Sequence, residues 1–123
     1  MVNNNISKQS KYKNKKVLID GIEFDSRLEA NRYFQLKILE KAKEIKDLRR
    51  QVKFELQESY KKNNKRIQSI NYVADFVYYD FRKNKTIVED TKGFKTEIYK
   101  LKKKIFEYKY KDLEIIEITK KDI

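Results

Sequence analysis

Two consecutive segments rich in aromatic and β-branched residues, 70–79 (INYVADFVYY) and 86–92 (TIVEDTK), constrain the fold of this chain most. Residues of these types favour strands. Only the short stretch 80–85 separates the two segments, and such a short connection indicates antiparallel neighbours. We therefore expect these segments to form the central strands of a sheet.

A hairpin and a helix are predicted before this pair. Two short apolar runs surround an Asp-Gly dipeptide within 17–24, and Asp-Gly favours a two-residue hairpin turn. Ser26 and Glu29 match the spacing of a capping box, in which the acid three residues after the N-cap helps to close the helix end. Apolar residues at helical spacing continue from there to about Ala42, which predicts a helix.

Three more elements complete the expected order. Residues 51–59 alternate apolar and polar and predict a strand that pairs with the first central strand, with the polar stretch 61–65 in the loop between them. Thr96 is a suitable N-cap for a helix that runs to about residue 109. The apolar segment 113–119 predicts a last, buried strand.

The order hairpin, helix, strands, helix, strand predicts an α/β or α+β fold with helices packed around one sheet. We expect a single domain over 15–123, preceded by a flexible basic arm, 1–14, that has too little apolar surface to order itself. The N-terminus has no apolar signal-peptide core, and no run reaches the roughly 18 apolar residues of a membrane span. The expected location is cytoplasmic, with no membrane partner.

The composition limits the chemistry. The 123 residues include no cysteine and no histidine, which excludes Cys or His zinc ligands, disulfides, a cysteine nucleophile and a Ser-His-Asp triad. The formal net charge is +12, and this excess attracts polyanions, chiefly nucleic acid. Acidic membrane surfaces and a merely solvated basic surface are the alternatives.

Acidic residues in the two central strands are the first candidates for a site. Alternation places Asp75 on one face with Val73 and Val77, and places Asp90 on one face with Lys92. If the strands are antiparallel neighbours, these faces come together. Two ionised carboxylates on an apolar face repel each other, so the arrangement is unfavourable unless a nearby positive charge compensates them. Lys92 or a divalent cation could do so, and oxygen ligands suit Mg²⁺ or Mn²⁺.

Each candidate also has a purely structural interpretation. Glu29 is the candidate third acid because it lies four residues before Tyr33 and seven before Leu36, on one side of the helix stripe expected to face the sheet. A capping box requires a Glu at the same position. Asp75 could be a satisfied polar residue near a strand edge, and Asp90 with Lys92 could be a simple salt bridge. Glu89 is excluded from the site because alternation turns it to the face opposite Asp90.

The lysines that follow the central strands are candidates for contacts with phosphates. Lys95, Lys100 and Lys103, together with the basic arm, could follow a nucleic-acid backbone next to the acids. The alternative is that this helix face is simply solvated.

Asp75, the Asp90-Thr91-Lys92 run fifteen residues later, and Glu29 on the preceding helix together resemble the PD-(D/E)XK nuclease superfamily. The order of elements is also similar to that superfamily's α-β-β-β-α-β core. The stretches IDGIEFDSRLEANRY, YVADF and VEDTKGFKTEIYKLKKKIF further resemble a family of small phage and prophage proteins of unknown function, over about residues 11–110. Two departures from the superfamily pattern are Ala74, where a proline is usual, and an Asp in place of Glu at position 90.

This resemblance implies a restriction-endonuclease-like fold and a role for each matched residue. Asp75 and Asp90 would hold a metal ion, with the backbone carbonyl of Thr91 as a further ligand. Lys92 would orient or deprotonate the attacking water and stabilise charge on the phosphate. Glu29 would complete the metal shell or bind a second ion.

The function predicted on these grounds is a Mg²⁺-dependent DNA endonuclease, with Mn²⁺ as a substitute. Junction or branched DNA in phage recombination or replication is the specialisation that analogy suggests, and cutting of both strands would favour a homodimer. The main alternative is a non-catalytic nucleic-acid-binding module with a nuclease-like fold. A third interpretation is a small basic structural or packaging protein.

Overall fold

The computed structural model describes residues 16–123, so the predicted basic arm, 1–14, lies outside the described residues. The described part of the chain is a mixed α and β fold with two α-helices. Its elements, in chain order, are β1 Val17–Ile19, β2 Ile22–Phe24, α1 Arg27–Lys41, β3 Ile45–Gln57, β4 Tyr60–Lys62, β5 Lys65–Ile67, β6 Ile70–Asp80, β7 Lys85–Thr91, α2 Glu97–Lys109, β8 Ile115–Ile118 and a 3-10 turn at Lys120–Asp122.

A four-stranded mixed sheet with the order β3-β6-β7-β8 forms the centre. β3 pairs antiparallel with β6, and β6 pairs antiparallel with β7. β8 lies parallel to β7, because α2 carries the chain back to the same end of the sheet before β8 begins. The hairpins β1-β2 and β4-β5 form separate two-stranded sheets. The predicted mixed sheet with two helices, and the hairpin before it, are confirmed.

The two helices cover opposite faces of this sheet. On one face, Leu36 of α1 packs with Phe76 and Ile87 in a buried cluster. On the other face, Phe106 of α2 packs with Val88 in a second buried cluster. Alternation along β7 explains the division, since Ile87 and Val88 point in opposite directions. None of the helices in 16–123 is long and apolar enough to cross a membrane.

The predicted boundaries of β3 and of the following loop are wrong. β3 begins at Ile45 rather than at residue 51, because the segment 45–50 pairs with the end of β6. The stretch 61–65, predicted as a loop, belongs to the β4-β5 hairpin. Asn63 and Asn64 form its turn with φ angles of 51° and 64°, a left-handed conformation that asparagine tolerates better than most residues.

The expected strict alternation along β6 is also wrong. Ala74 and Val77 belong to the same buried cluster, whereas Val73 is 44% exposed. Val73 and Val77 therefore do not share a face, and the pleat is interrupted around Asp75. In the neighbouring strand β3, Gln51 adopts a φ of 51° at this level, which disturbs the regular pleat of both strands.

Candidate functional site

The candidate site lies beside the end of β7, between β6 and the first turn of α1. Asp75 of β6 is its centre. One carboxylate oxygen, Oδ2, accepts hydrogen bonds from the Thr91 N–H at 2.8 Å and from the Thr91 hydroxyl at 2.7 Å. The other, Oδ1, accepts from the Gln51 side-chain amide at 3.1 Å. These bonds tie Asp75 to the Asp90-Thr91-Lys92 run at the end of β7.

Glu29 joins the same set of hydrogen bonds from the helix. Its Oε2 accepts from the Gln51 amide at 2.7 Å, so a single amide group bridges Glu29 and Asp75. Its backbone N–H donates to Ser26 Oγ at 3.1 Å, as the N-cap requires. Its Oε1 accepts from the N–H of Asp25 at 2.9 Å. Glu29 therefore helps to fix the helix start and also takes part in the site.

Asp90 and Lys92 form the other half of the site. Asp90 is only 4% exposed, and its Oδ2 accepts a hydrogen bond of 2.5 Å from the Tyr72 hydroxyl. Lys92 Nζ lies 3.4 Å from Asp90 Oδ1 and 3.9 Å from the centre of the Tyr99 ring. The ammonium group is thus held between a carboxylate and an aromatic face.

Two acids of the site, Glu29 and Asp90, are buried and lie close enough to Asp75 to be repelled by its charge, and both effects disfavour their ionised forms. Burial, and then the negative charge of Asp75, raise the pKa of the Asp90 carboxyl to about 7. The same two causes, in the same order, raise the pKa of Glu29. A bound cation would relieve this repulsion, and the available donors are carboxylate and carbonyl oxygens, which suit Mg²⁺ or Mn²⁺. Across 16–123, no group of three or more acidic side chains has the arrangement of a metal site.

Two residues of the site, Gln51 and Tyr72, were not identified from the sequence. Gln51 occupies a polar position of an alternating strand, where a solvent-exposed side chain is the ordinary expectation. Tyr72 resembles a core residue, and it is indeed buried. No local signal marks either one, because their partners lie more than fifteen residues away in the chain.

Glu89 lies outside the site, on the face covered by α1. Arg32 binds it in a bidentate manner, with Nε at 2.8 Å from Oε1 and Nη2 at 2.5 Å from Oε2. The Tyr78 hydroxyl also donates to Glu89. This buried carboxylate is therefore compensated by a cation and a hydrogen-bond donor, and it has a structural role.

The three predicted nucleic-acid-binding lysines are all paired with acids. Lys95 and Lys103 lie 2.9 and 3.2 Å from the carboxylate of Glu117 on β8, and Lys100 lies 3.1 Å from Glu97 on its own helix. Although burial opposes the change, hydrogen bonds from Lys95, Tyr99 and Lys103 lower the pKa of Glu117 to about 2. The charges of these three lysines are therefore compensated within the protein.

Comparison with known proteins gives one result for this chain. No curated protein and no solved structure matches it. A family described as "Protein of unknown function (DUF1064)" matches residues 9–122, nearly the whole chain and every element of the site. The chain belongs to this family.

Proposed function

We propose that this protein is a Mg²⁺-dependent DNA endonuclease with a restriction-endonuclease-like fold of the PD-(D/E)XK type. One observation carries the proposal: Glu29 and Asp75 share the amide of Gln51, and Asp75 is in turn bonded to Thr91, between Asp90 and Lys92. The acids of α1 and β6 are thus linked to the end of β7, which carries Asp90 and Lys92. The observed order of elements around the sheet also supports it.

Asp75, Asp90 and the carbonyl of Thr91 would hold the ion, with Glu29 as an additional ligand. When bound, Mg²⁺ would polarise the scissile phosphate and make a bound water more acidic. These carboxylate and carbonyl donors are the oxygen ligands that Mg²⁺ prefers. Without a cation, burial and the charge of Asp75 make the anionic form of Asp90 unfavourable. A cation at this place would favour ionised carboxylates and would be bound in return.

Lys92 would act on the phosphate and the attacking water. Its ammonium group is fixed by Asp90 and by the ring of Tyr99, so little reorganisation is needed when negative charge develops on the phosphate. Tyr72 would orient Asp90 through its hydroxyl. In this proposal the enzyme acts on DNA in the cytoplasm of a bacterial or phage-infected cell, and a homodimer would supply two sites for cutting both strands.

A non-catalytic nucleic-acid-binding module is the second candidate. The observation that favours it is that protein donors already bind each acid: Gln51 binds Glu29 and Asp75, and Tyr72 binds Asp90. In such a module these bonds would only hold α1 against the sheet. The two functions differ in whether a covalent bond of DNA is broken.

The test is cleavage of duplex, single-stranded and four-way-junction DNA in Mg²⁺, in Mn²⁺ and in EDTA. We expect cutting with either metal and none in EDTA. Lys92→Ala should abolish cutting while DNA binding persists. Lys104→Ala is the matched control, because Lys104 lies on the exposed side of α2 and carries the same charge.

Three results would refute the proposed Mg²⁺-dependent nuclease. They are cutting that persists in EDTA, cutting by Lys92→Ala at the wild-type rate, and salt-dependent binding by a folded wild-type protein that leaves every DNA intact. The last result would establish the binding module instead. The panel also identifies the preferred DNA structure, because the three substrates differ only in strand arrangement.

A further inference from the structure

A surface groove of about 720 Å³ lies directly beside the candidate site. The first turns of α1 form one wall, and the chain segments that follow β7 and β8 form the other. We call it the basic groove and define it by the side chains that carry its polarity: Arg27, Asn31, Lys92, Lys120 and Lys121. Lys92 belongs to both the groove and the candidate site.

The charge of the basic groove is available to a ligand. The residues that line it include four cations and no acid. Arg27, Lys120 and Lys121 are exposed, and within 16–123 they form no salt bridge. The adjacent Asp122 is engaged elsewhere, since it accepts hydrogen bonds from the N–H and hydroxyl of Thr119.

The three lysines expected from the sequence to contact phosphates differ from the exposed cations of the groove. Lys95, Lys100 and Lys103 each lie within 3.2 Å of a carboxylate oxygen. A lysine that already pairs with an acid contributes less net potential than a free one, and it must give up that partner to bind a phosphate. Arg27, Lys120 and Lys121 have no carboxylate partner to give up among the described residues, so the groove attracts phosphate more strongly.

The position of the groove cations relative to the site is fixed by the fold. The Lys92 N–H donates to the carbonyl of Ile118 at 2.9 Å, which fastens the end of β8 beside the end of β7. The hydrogen bonds between Thr119 and Asp122 then close the short 3-10 turn that carries Lys120 and Lys121. These two lysines therefore stand on a structured turn rather than on a loose tail.

From this geometry we infer that the basic groove binds the sugar-phosphate backbone of the DNA strand next to the phosphate at Lys92. The inference rests on the proposed function, since it gives the strand its path through that site. Arg27, Lys120 and Lys121 contact successive phosphates without reading bases. The expectation from the sequence that Lys95, Lys100 and Lys103 contact DNA stays a prediction, but in this inference they are secondary contacts, because each is already paired with Glu117 or Glu97.

The test measures binding of a labelled oligonucleotide, duplex and single-stranded, by fluorescence anisotropy in EDTA, where no cutting interferes. The full chain is used, and salt is varied between 50 and 200 mM. The groove variant combines Arg27→Gln, Lys120→Gln and Lys121→Gln. Loss of three phosphate contacts should weaken binding at least about thirtyfold at 100 mM salt and reduce the slope of log K against log salt by about 2–3.

Two other triple variants lose the same charge. A control in the exposed β4-β5 hairpin combines Lys61→Gln, Lys62→Gln and Lys65→Gln, and the competing set combines Lys95→Gln, Lys100→Gln and Lys103→Gln. Both should weaken binding less than about fivefold, through general charge alone. Circular dichroism verifies that each variant is folded.

Three results would overturn the inference. They are an equal loss in all three variants, a larger loss in the variant of Lys95, Lys100 and Lys103 than in the groove variant, and a wild type that binds no DNA at 50 mM salt. The proposed nuclease is judged separately, by cutting. A wild type that never cuts, but whose binding depends on the groove, would refute the nuclease and leave the groove as the DNA-binding site.

Discussion

Replacement of Asp90 by asparagine should make the metal-free protein more stable. Asp90 is a buried carboxyl at the end of β7 whose ionised form is disfavoured by burial and by the charge of Asp75. Asparagine has nearly the same shape and keeps an oxygen that can accept from the Tyr72 hydroxyl. Because it cannot ionise, Asp90→Asn removes the unfavourable charge while preserving the packing.

The size of the effect follows from the pKa of Asp90. That pKa is about 7 in the folded protein, against an ordinary value of 3.8. About three pKa units correspond to about 4 kcal/mol. A raised folded-state pKa means that the folded protein retains its proton more strongly than the unfolded chain does, so the free energy of unfolding falls as the pH rises from about 4 to about 7. We expect the free energy of unfolding of Asp90→Asn to exceed that of the wild type by about 2–4 kcal/mol above pH 7 and to equal it near pH 4.

Urea and thermal unfolding in EDTA, followed by circular dichroism between pH 4 and pH 8, measure this difference. For a domain of this size the gain should raise the Tm by roughly 10 °C at pH 8. Mg²⁺ should then stabilise the wild type, which can bind it, more than the variant. The difference in Tm should therefore narrow as Mg²⁺ is added.

The matched control is Asp112→Asn, because Asp112 is an exposed aspartate outside the site. It should change the Tm by little at any pH. If Asp90→Asn is less stable than wild type at pH 8 in EDTA, ionised Asp90 does not oppose folding and the reasoning fails. A gain that is the same at pH 4 and pH 8 would equally refute it, since the effect would not come from ionisation.

Three other changes test separate parts of the structure. Glu89→Gln should lower the free energy of unfolding by about 3–5 kcal/mol, because it leaves Arg32 without its carboxylate partner; a loss below about 1 kcal/mol in urea unfolding would show that Arg32 finds other partners. Because the pKa of Glu117 is lowered in the folded protein, ionised Glu117 stabilises the fold. This contribution to the free energy of unfolding is complete above about pH 4.5 and is lost as the pH falls toward 2. Urea unfolding should therefore find Glu117→Gln less stable than wild type at pH 6 but equal near pH 2, and an unchanged difference would contradict this. Asn64→Gly should raise stability by about 0.5 kcal/mol, since φ is 64° there; a lower Tm would show that the asparagine side chain itself stabilises the turn.

The parts of the fold that local patterns encode were predictable. An Asp-Gly turn, a capping box and two strands rich in β-branched residues gave the first hairpin, α1, β6 and β7. The first part of β3, 45–50, has a charged sequence (IKDLRR), and it is a strand only because β6 pairs with it. The β4-β5 hairpin is exposed on both faces, so its sequence lacks the alternation of apolar and polar residues that would predict strands.

The site shows a similar division between local and long-range information. Spacing along β6 and β7 was enough to select Asp75, Asp90 and Lys92 as candidates, and helical spacing was enough to select Glu29. The interruption of the pleat at Asp75, and the amide of Gln51 that bridges two acids, arise from contacts between distant segments. A single sequence read by periodicity carries no record of such contacts.

The parallel strand β8 determines when the candidate site can be assembled during protein synthesis. The ribosome releases β7 well before residues 115–121, yet the carbonyl of Ile118 anchors the backbone of Lys92, and the turn after it supplies two cations of the basic groove. Until that segment emerges, the outer edge of β7 is unpaired and the lysine lacks its anchor. A nascent or prematurely terminated chain would therefore carry all four candidate catalytic side chains before the basic groove exists, so under the proposed function DNA binding and cutting would both depend on the completion of β8.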